Sequence, residues 1–368
     1  MPELHDTVLQ INLQALSHNF NYLKSRLSNS QKFLGVVKAF AYGNDACVIA
    51  SHLEKLGADY LAVAYTHEGV ILRKYGITLP ILVLHPQPSN FDDLIQHELE
   101  PNLYSSRVLK TFIAVAENAH KIDYPVHIKF NTGLNRLGFW ENDVHHIIDT
   151  LSTTKSLSVV SVFSHLAASE DLSEKEFTDT QINTFNAITK EFFTLLGYAP
   201  IKHMCNTSGI LNYPEAHFDM VRSGIGLYGF GNSEVENKHL IPIATLKSVI
   251  SQIHLIEKGE TVGYNRAYSS NTFKKIATIP IGHADGIGRQ YGNGVGFVWI
   301  NNQKASIVGN VCMDMIMVDI TDINCSEGDE VIIFDQNNTA ENLAITTGTI
   351  SYELLTSISQ RIKRKVIS

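Results

Sequence analysis

The sequence predicts two folds in tandem, a parallel barrel of the (β/α)8 type followed by an all-β domain. Three observations carry this. Eight short apolar runs in the front two-thirds alternate with longer amphipathic stretches, the rhythm of parallel strands joined by helices. Polar residues cluster after nearly every run, as they do around the rim of a closed barrel. An open doubly wound sheet would instead gather them at one switch point and place a GxGxxG after its first strand, and this chain has none there. Finally, helical periodicity stops near GFGNSEVEN, around Phe230 to Asn237, and short β-rich runs take over.

In chain order the barrel strands are FLGVVK, DYLAVAY, PILVLHP, EPNLYS, YPVHIKFN, LSVVSVFSHL, IKHMCN and FDMVRSG. Stretches such as HNFNYLKSRL, ACVIASHLEKLG, SRVLKTFIAVAENAH and QINTFNAITKEFFTLLG supply the helices between them. The β domain is read from ATLKSVISQIHLI, KKIATIPIG, GVGFVWIN, ASIVGNV, MIMVDI and DEVIIFD, separated by Gly, Asn and Asp turns. The division therefore falls at residues 1–235 and 236–368. The piece AENLAITTGTISYELLTSISQRIKRK reads as a closing helix, and residues 1–12, where the strand-like run VLQINL (Val8–Leu13) begins, are a candidate to pair with the second domain.

Bulk properties narrow the class. A chain of 368 residues exceeds one ordinary core, and 18% charged residues with a net charge of −8 argue against nucleic acid or an anionic membrane as partner. The start, MPELHDTVLQINLQAL, lacks a cationic segment leading into an apolar core, and no run approaches bilayer length. Cys47, Cys205, Cys312 and Cys325 are scattered and form neither a zinc pattern nor a disulfide frame. A reduced cytoplasmic enzyme without a metal is expected.

The stretch FLGVVKAFAYG, Phe33 to Gly43, carries the first chemical signal. A lysine at the exit of a buried strand is partly desolvated, which disfavours its charged form and makes the amine a usable base or nucleophile. Gly43 supplies backbone freedom for a turn. Side chains just past successive barrel strands share one mouth, which gathers Lys38, Tyr42, Lys129, Arg136, His165, Asn206, Thr207, Arg222, Gly224 and Ile225. Singly each has an ordinary structural reading: a surface salt bridge for Arg136, a hydrogen-bonded core histidine for His165, plain turns for NTSG and RSGIG. Together they would suit an anionic planar ligand.

VVKAFAYG, KFNTGLNRLG, FSHLAAS, CNTS, VRSGIGLYG, VGYNRAY, GHADGIGR, GNVCMDMIMVD and SYELLTSISQR, in this order, resemble the motifs of the alanine racemases, which depend on pyridoxal 5′-phosphate. The resemblance spans essentially the whole chain. It implies that Lys38 carries the cofactor covalently, and that Tyr42, Thr207, Tyr352 and the backbone amides of Gly224 and Ile225 bind its phosphate, Asn206 standing beside them. Turn amides bind anions without a cationic side chain. His165 would lie against the pyridine ring, and Arg136 would reach the phenolic oxygen and the substrate carboxylate. The lysine matching Lys129 is often carboxylated in this family, its carbamate holding that arginine. Met313 would meet the substrate carboxylate through its amide, with Asp314 supporting.

Arg222, by the same match, faces the ring nitrogen. A guanidinium can only donate there, so the nitrogen stays unprotonated and the ring is a weaker electron sink. Return of the proton to Cα is then favoured over transamination. Inverting a stereocentre is simplest with one acid/base group on each face. The resemblance makes Lys38 the base for the D-substrate and Tyr264 the base for the L-substrate. Tyrosines ordinarily titrate near ~10, so neighbouring cations must assist. Tyr264 and Met313 would complete the site of the neighbouring subunit, which implies a homodimer.

Some positions depart from the family pattern. Phe40 replaces an asparagine after the lysine, Asn44 and Asp45 replace His-Gly, and Asn131 stands where an aspartate is usual. His283 replaces a frequent tyrosine on the substrate access route, and Asn310 replaces a frequent arginine. The expected activity is interconversion of L- and D-alanine, supplying D-alanine for peptidoglycan. A broader racemase for small amino acids such as serine is the alternative. Further off are a non-catalytic cofactor carrier, which would have no use for Tyr264, a fold-related decarboxylase, which Arg222 disfavours, and a cofactor-free Schiff-base aldolase.

Overall fold

The structure is a computed structural model, and it describes residues 7–367. Residues 1–6, part of the segment expected to join the second domain, lie outside the described range. Chain packing divides the rest into a barrel unit, 17–41 and 46–240, and a β unit, 7–16, 42–45 and 241–367.

Strand β1 (Val8–Asn12) opens the β unit. The barrel follows with β2 (Lys32–Val36), β3 (Tyr60–Val63), β4 (Ile81–Val83), β5 (Glu100–Leu103), β6 (Tyr124–Lys129), β7 (Leu157–Phe163), β8 (Ile201–His203) and β9 (Met220–Ser223). Each pairs in parallel with the next, and β2 closes the ring on β9 with Leu34 opposite Arg222. Burial on both faces explains the near-continuous apolar runs of these strands. Phe33, Leu61, Val83, Ile128 and Val162 are fully buried, and helices such as Ser106–Asn118 and Lys175–Leu196 cover the outside with Phe112, Phe185 and Phe192. The exceptions are polar residues inside the strands, to which the chemistry returns below.

The β unit is built on one nine-stranded sheet. Its further strands are β10 (Ala244–Val249), β11 (Gln252–Ile256), β12 (Thr261–Val262), β13 (Tyr268–Ser269), β14 (Lys274–Ile279), β15 (Phe297–Ile300), β16 (Gln303–Val308), β17 (Ile316–Asp319), β18 (Glu330–Phe334) and β19 (Lys363–Ile367). The order is β11-β14-β17-β16-β15-β18-β10-β1-β19, with β12 and β13 forming a separate ribbon. β1 runs antiparallel to β10 and parallel to β19, so the chain's first and last strands are neighbours.

The closing segment differs from its sequence reading. Helices occupy only Ala340–Ile345 and Ser351–Ser357, and the cationic tail that follows is strand β19. Gly348, at φ +71°, breaks the helical run. The open edge of β1 then offers the tail a full ladder, which outweighs its helical propensity.

A second difference lies just after β2. The turn expected at Gly43 begins four residues earlier: Ala39, Phe40, Ala41 and Tyr42 all sit at φ between +52° and +55°. The segment Lys38–Gly43 is thus a left-handed helical turn, and such a conformation costs roughly 1–2 kcal/mol per non-glycine residue. Gly43 ends it at φ +82°, where a Cβ would lie 1.9 Å from the Leu355 carbonyl oxygen. Arg364 holds the Gly43 carbonyl through Nη2 at 2.8 Å. Replacing Gly43 by alanine should therefore combine backbone strain with overpacking. A loss of about 2–4 kcal/mol in unfolding free energy is expected, read from denaturant midpoints.

Candidate active site

Lys38 follows the last turn of β2 and is half-buried. Its amine titrates below the ordinary lysine value, first because of burial and then because of the Arg136 charge, while Glu68 partly opposes both. Glu68 was not singled out from the sequence, yet it organises this corner. One carboxylate oxygen accepts from the Ala39 amide at 2.6 Å, and the other accepts from Ala64 and Tyr65 at 2.7 and 3.0 Å. It ties the residue after Lys38 to the end of β3 and holds the left-handed turn open. Its one sequence signal was a glutamate in the first turn of a helix, Thr66–Tyr75, that follows a strand.

Lys129 ends β6 and is buried, its titration lowered to about 7 by burial and then by Arg136, Arg222 and Lys38. Its Nζ lies 5.8 Å from the centre of the Phe163 ring, and the Arg222 guanidinium is 5.3 Å from the same ring. Such cation–ring contacts stabilise charge held away from water. Arg136 is exposed and has no carboxylate partner among the described residues. Asn131 shapes the loop that leads to it: its Oδ1 accepts from the Gly133 and Asn135 amides, and its Nδ2 donates to Asn135 Oδ1 at 2.8 Å. Phe40, by contrast, is largely solvent-exposed and replaces nothing in this loop.

Arg222, in β9, is buried and its titration is pulled down to about 10, chiefly by desolvation. Nη1 donates to His203 Nδ1 at 2.6 Å, and Nη2 donates to the carbonyls of Ser164 and Met204 and to His165 Nδ1 at 2.8, 3.1 and 3.0 Å. Its Nε–H has no acceptor among the described residues. His165 titrates well below an ordinary histidine, through burial and then the charges of Arg222, Arg136, Lys129 and Lys38. The imidazole is therefore neutral at physiological pH, with its proton on Nε2.

Thr207 and Asn206 shape the corner expected to take a phosphate. Asn206 caps the helix Thr207–Asn212, its Oδ1 accepting from the Gly209 amide at 2.9 Å and from Ser169 Oγ at 2.7 Å. Thr207 Oγ1 lies 3.0 Å from Ser223 Oγ and accepts from the Gly226 amide at 3.2 Å. The amides of Gly224 and Ile225, both buried, donate to no acceptor among the described residues. Two unsatisfied buried amides beside a crowd of cations with no ion-paired carboxylate are a fit for an anionic cofactor. Of the groups present, Lys38 could hold pyridoxal phosphate covalently and these amides could take its phosphate.

The β unit carries the remaining candidates. Tyr42 is buried, its ring centroid 6.0 Å from that of Tyr352, and its phenol is pushed up by burial and then by Tyr352. Tyr264 stands on an exposed turn, 72% accessible, in which Gly263, Asn265 and Arg266 all have positive φ. Asn310 donates to the Tyr264 carbonyl at 3.1 Å, so the residue that departs from the family pattern braces this turn. Met313 is exposed as well, in a loop that pairs with His283 and Ala284 through the Cys312 and Met313 carbonyls, both at 3.0 Å. Asp314 ion-pairs with Arg361 at 2.6 Å, and Arg361 also meets the buried Asp285 at 2.6 Å.

A closed parallel barrel whose first strand is followed by a half-buried lysine, joined to a strand-rich second unit, defines a two-domain barrel enzyme. The alanine racemase N-terminal domain matches residues 11–231 and the alanine racemase C-terminal domain residues 243–366; the chain belongs to the alanine racemase family. The alanine racemase of Thermodesulfovibrio yellowstonii is 36% identical over 366 residues, covering 97% of each chain. Among solved structures, alanine racemase from Clostridium difficile superposes with a TM-score of 0.93 at 36% identity, over 98% of this chain and 96% of that one. Alanine racemase from Bartonella henselae with covalently bound pyridoxal phosphate gives a TM-score of 0.87 at 28% identity, over 98% and 99%.

Two measurements probe the electrostatics. Glu68 raises the titration of Lys38, so Glu68→Gln should move it lower still. The readout is the pH dependence of Lys38 acylation in cofactor-free protein, and an unshifted curve would deny Glu68 that influence. Lys129 titrates at about 7 in the fold against 10.5 ordinarily, so between these values the unfolded chain binds the extra proton and stability rises with pH. In cofactor-free protein Lys129→Met should flatten the increase of the urea midpoint from neutral to alkaline pH.

Proposed function

We propose that this chain interconverts L- and D-alanine by removing the Cα proton on one face and returning one on the other, with pyridoxal phosphate as cofactor. The observation that carries the reading is the pairing of a half-buried, acidified Lys38 with a fully buried Arg222 that keeps a donor in reserve. When bound, the cofactor supplies an electron-withdrawing ring that acidifies the substrate Cα–H.

Every other part falls to the chain's own groups. The amides of Gly224 and Ile225 bind the phosphate, with Thr207 steadying their turn, and the family resemblance gives Tyr42 and Tyr352 the same anion. Arg222 would donate to the ring nitrogen and keep it unprotonated, favouring return of the proton to carbon. His165 would lie against the ring. Arg136 receives the substrate carboxylate, assisted by the Met313 amide of the partner subunit. With its amine partly neutral near pH 7, Lys129 offers the form that adds CO2, and a carbamate there would hold Arg136. Lys38 moves the proton on one face of Cα, and Tyr264 of the partner subunit in a homodimer moves it on the other. None of the four cysteines forms a disulfide, which suits the reducing cytoplasm, and D-alanine for peptidoglycan is the product's use.

A panel of L-amino acids in deuterated water tests the reading: alanine should acquire Cα deuterium and invert, and a panel dominated by serine would shift the assignment to a broader racemase. Tyr264→Phe should lower turnover in the L-to-D direction by about 10²-fold or more while the cofactor stays bound. Lys38→Ala and Tyr264→Phe proteins should each be nearly inactive in that direction, yet their equal mixture should regain about a quarter of parental activity, since each hybrid dimer assembles one intact site. A mixture as inactive as its parts would place both bases in one chain.

A further inference from the structure

The barrel interior holds polar side chains that the proposed chemistry does not use. They lie within the strands: Glu100 on β5, His127 on β6, Ser161 on β7 and His203 on β8, all buried. They form one line. His127 Nε2 is 2.8 Å from Glu100 Oε2, His127 Nδ1 is 2.5 Å from Ser161 Oγ, and Ser161 Oγ is 2.9 Å from His203 Nε2. The line ends at Arg222, whose Nη1 lies 2.6 Å from His203 Nδ1.

The proton order along this line follows from its two ends. Arginine has only donors, so His203 Nδ1 must accept, and a neutral His203 carries its proton on Nε2. That proton goes to Ser161 Oγ. The single Ser161 hydroxyl proton is then left for His127 Nδ1, which puts the His127 proton on Nε2, facing the Glu100 carboxylate. Each donor meets one acceptor, from a buried cation to a buried anion. Burial and the Arg222 charge hold His203 well below an ordinary histidine, in keeping with a neutral ring. Phe163 stacks on His203 with ring centroids 4.9 Å apart and planes 9° apart, which fixes the ring's orientation.

We infer that Glu100, acting through His127, Ser161 and His203, is the positioning element for Arg222: it sets which hydrogens the guanidinium spends on the protein and leaves Nε–H for a ring nitrogen. This deepens the proposed racemase reading and rests on it for the role of Arg222. Reversing any one link would turn His203 Nδ1 into a donor aimed at a donor. Arg222 would then have to rotate away, and its reserve hydrogen with it.

Neutron diffraction from deuterium-exchanged holoenzyme crystals tests the order directly. A single deuteron on Nε2 of both His127 and His203 is expected, and density on Nδ1 of either ring overturns the inference, whether or not the protein racemises alanine. Kinetics of the holoenzyme add a readout of function. Ser161→Ala should lower kcat about tenfold with KM nearly unchanged, and Ser161→Thr, which keeps the hydroxyl, should restore it. Parental kcat in Ser161→Ala, or equal losses in both variants, would reduce the line to packing. Where Ser161→Ala fails to fold, Glu100→Gln takes its place against Glu100→Asp under the same criteria.

Discussion

Positive charge crowded together and largely held out of water, Arg136 alone being exposed, with almost no negative charge to meet it, is the constraint on which the barrel mouth depends. Lys38, Lys129, Arg136 and Arg222 act on one another and on His165, and the carboxylate that tempers Lys38 is Glu68. A buried cation without a partner either loses its proton or must find hydrogen-bond acceptors. The lysines take the first course and Arg222 takes the second, spread over two carbonyls and two imidazoles. An anionic ligand relieves the whole set at once. The lowered lysine titrations and the proposed affinity for a phosphorylated ring thus share one electrostatic origin.

Local strain accompanies this arrangement in both units. In the barrel unit a left-handed turn starts one residue after Lys38 and is held by Glu68. The β unit shows the same device around Tyr264, where positive φ at three of four consecutive residues is braced by Asn310. A Cβ on Gly263 would also meet Met317 Cε at 2.9 Å, so the backbone there follows the sheet closely. Strained backbone persists only where its surroundings over-determine it. The two residues proposed as opposing bases are therefore each set by a neighbouring side chain, Glu68 for one and Asn310 for the other.

Much was legible in the sequence because it rests on local pattern. Eight buried parallel strands must read as apolar runs, and polar residues at their exits must share a mouth, so the barrel and most of its candidate residues follow from periodicity alone. Motif order added the family, with Tyr264, Met313 and Tyr352 in the second unit, which no spacing argument reaches. His127, Ser161, His203 and Glu100 were visible only as polar interruptions in apolar strands. Nothing along the chain says that such interruptions on four successive strands fall into one line, because strand stagger decides that.

Taken by itself, the amino-acid order determined the fold class and the family and singled out Lys38 as a candidate. These are properties of side-chain identity and repeat length. Tertiary structure decided the left-handed turn after Lys38, the strand that Lys363–Ile367 forms beside β1, the partners of Glu68 and the direction of every hydrogen bond on Arg222. Each of those depends on groups far apart in the chain, such as Glu68 on β3's helix and His203 on β8. Only closure of the barrel and pairing of the sheet bring them within bonding distance.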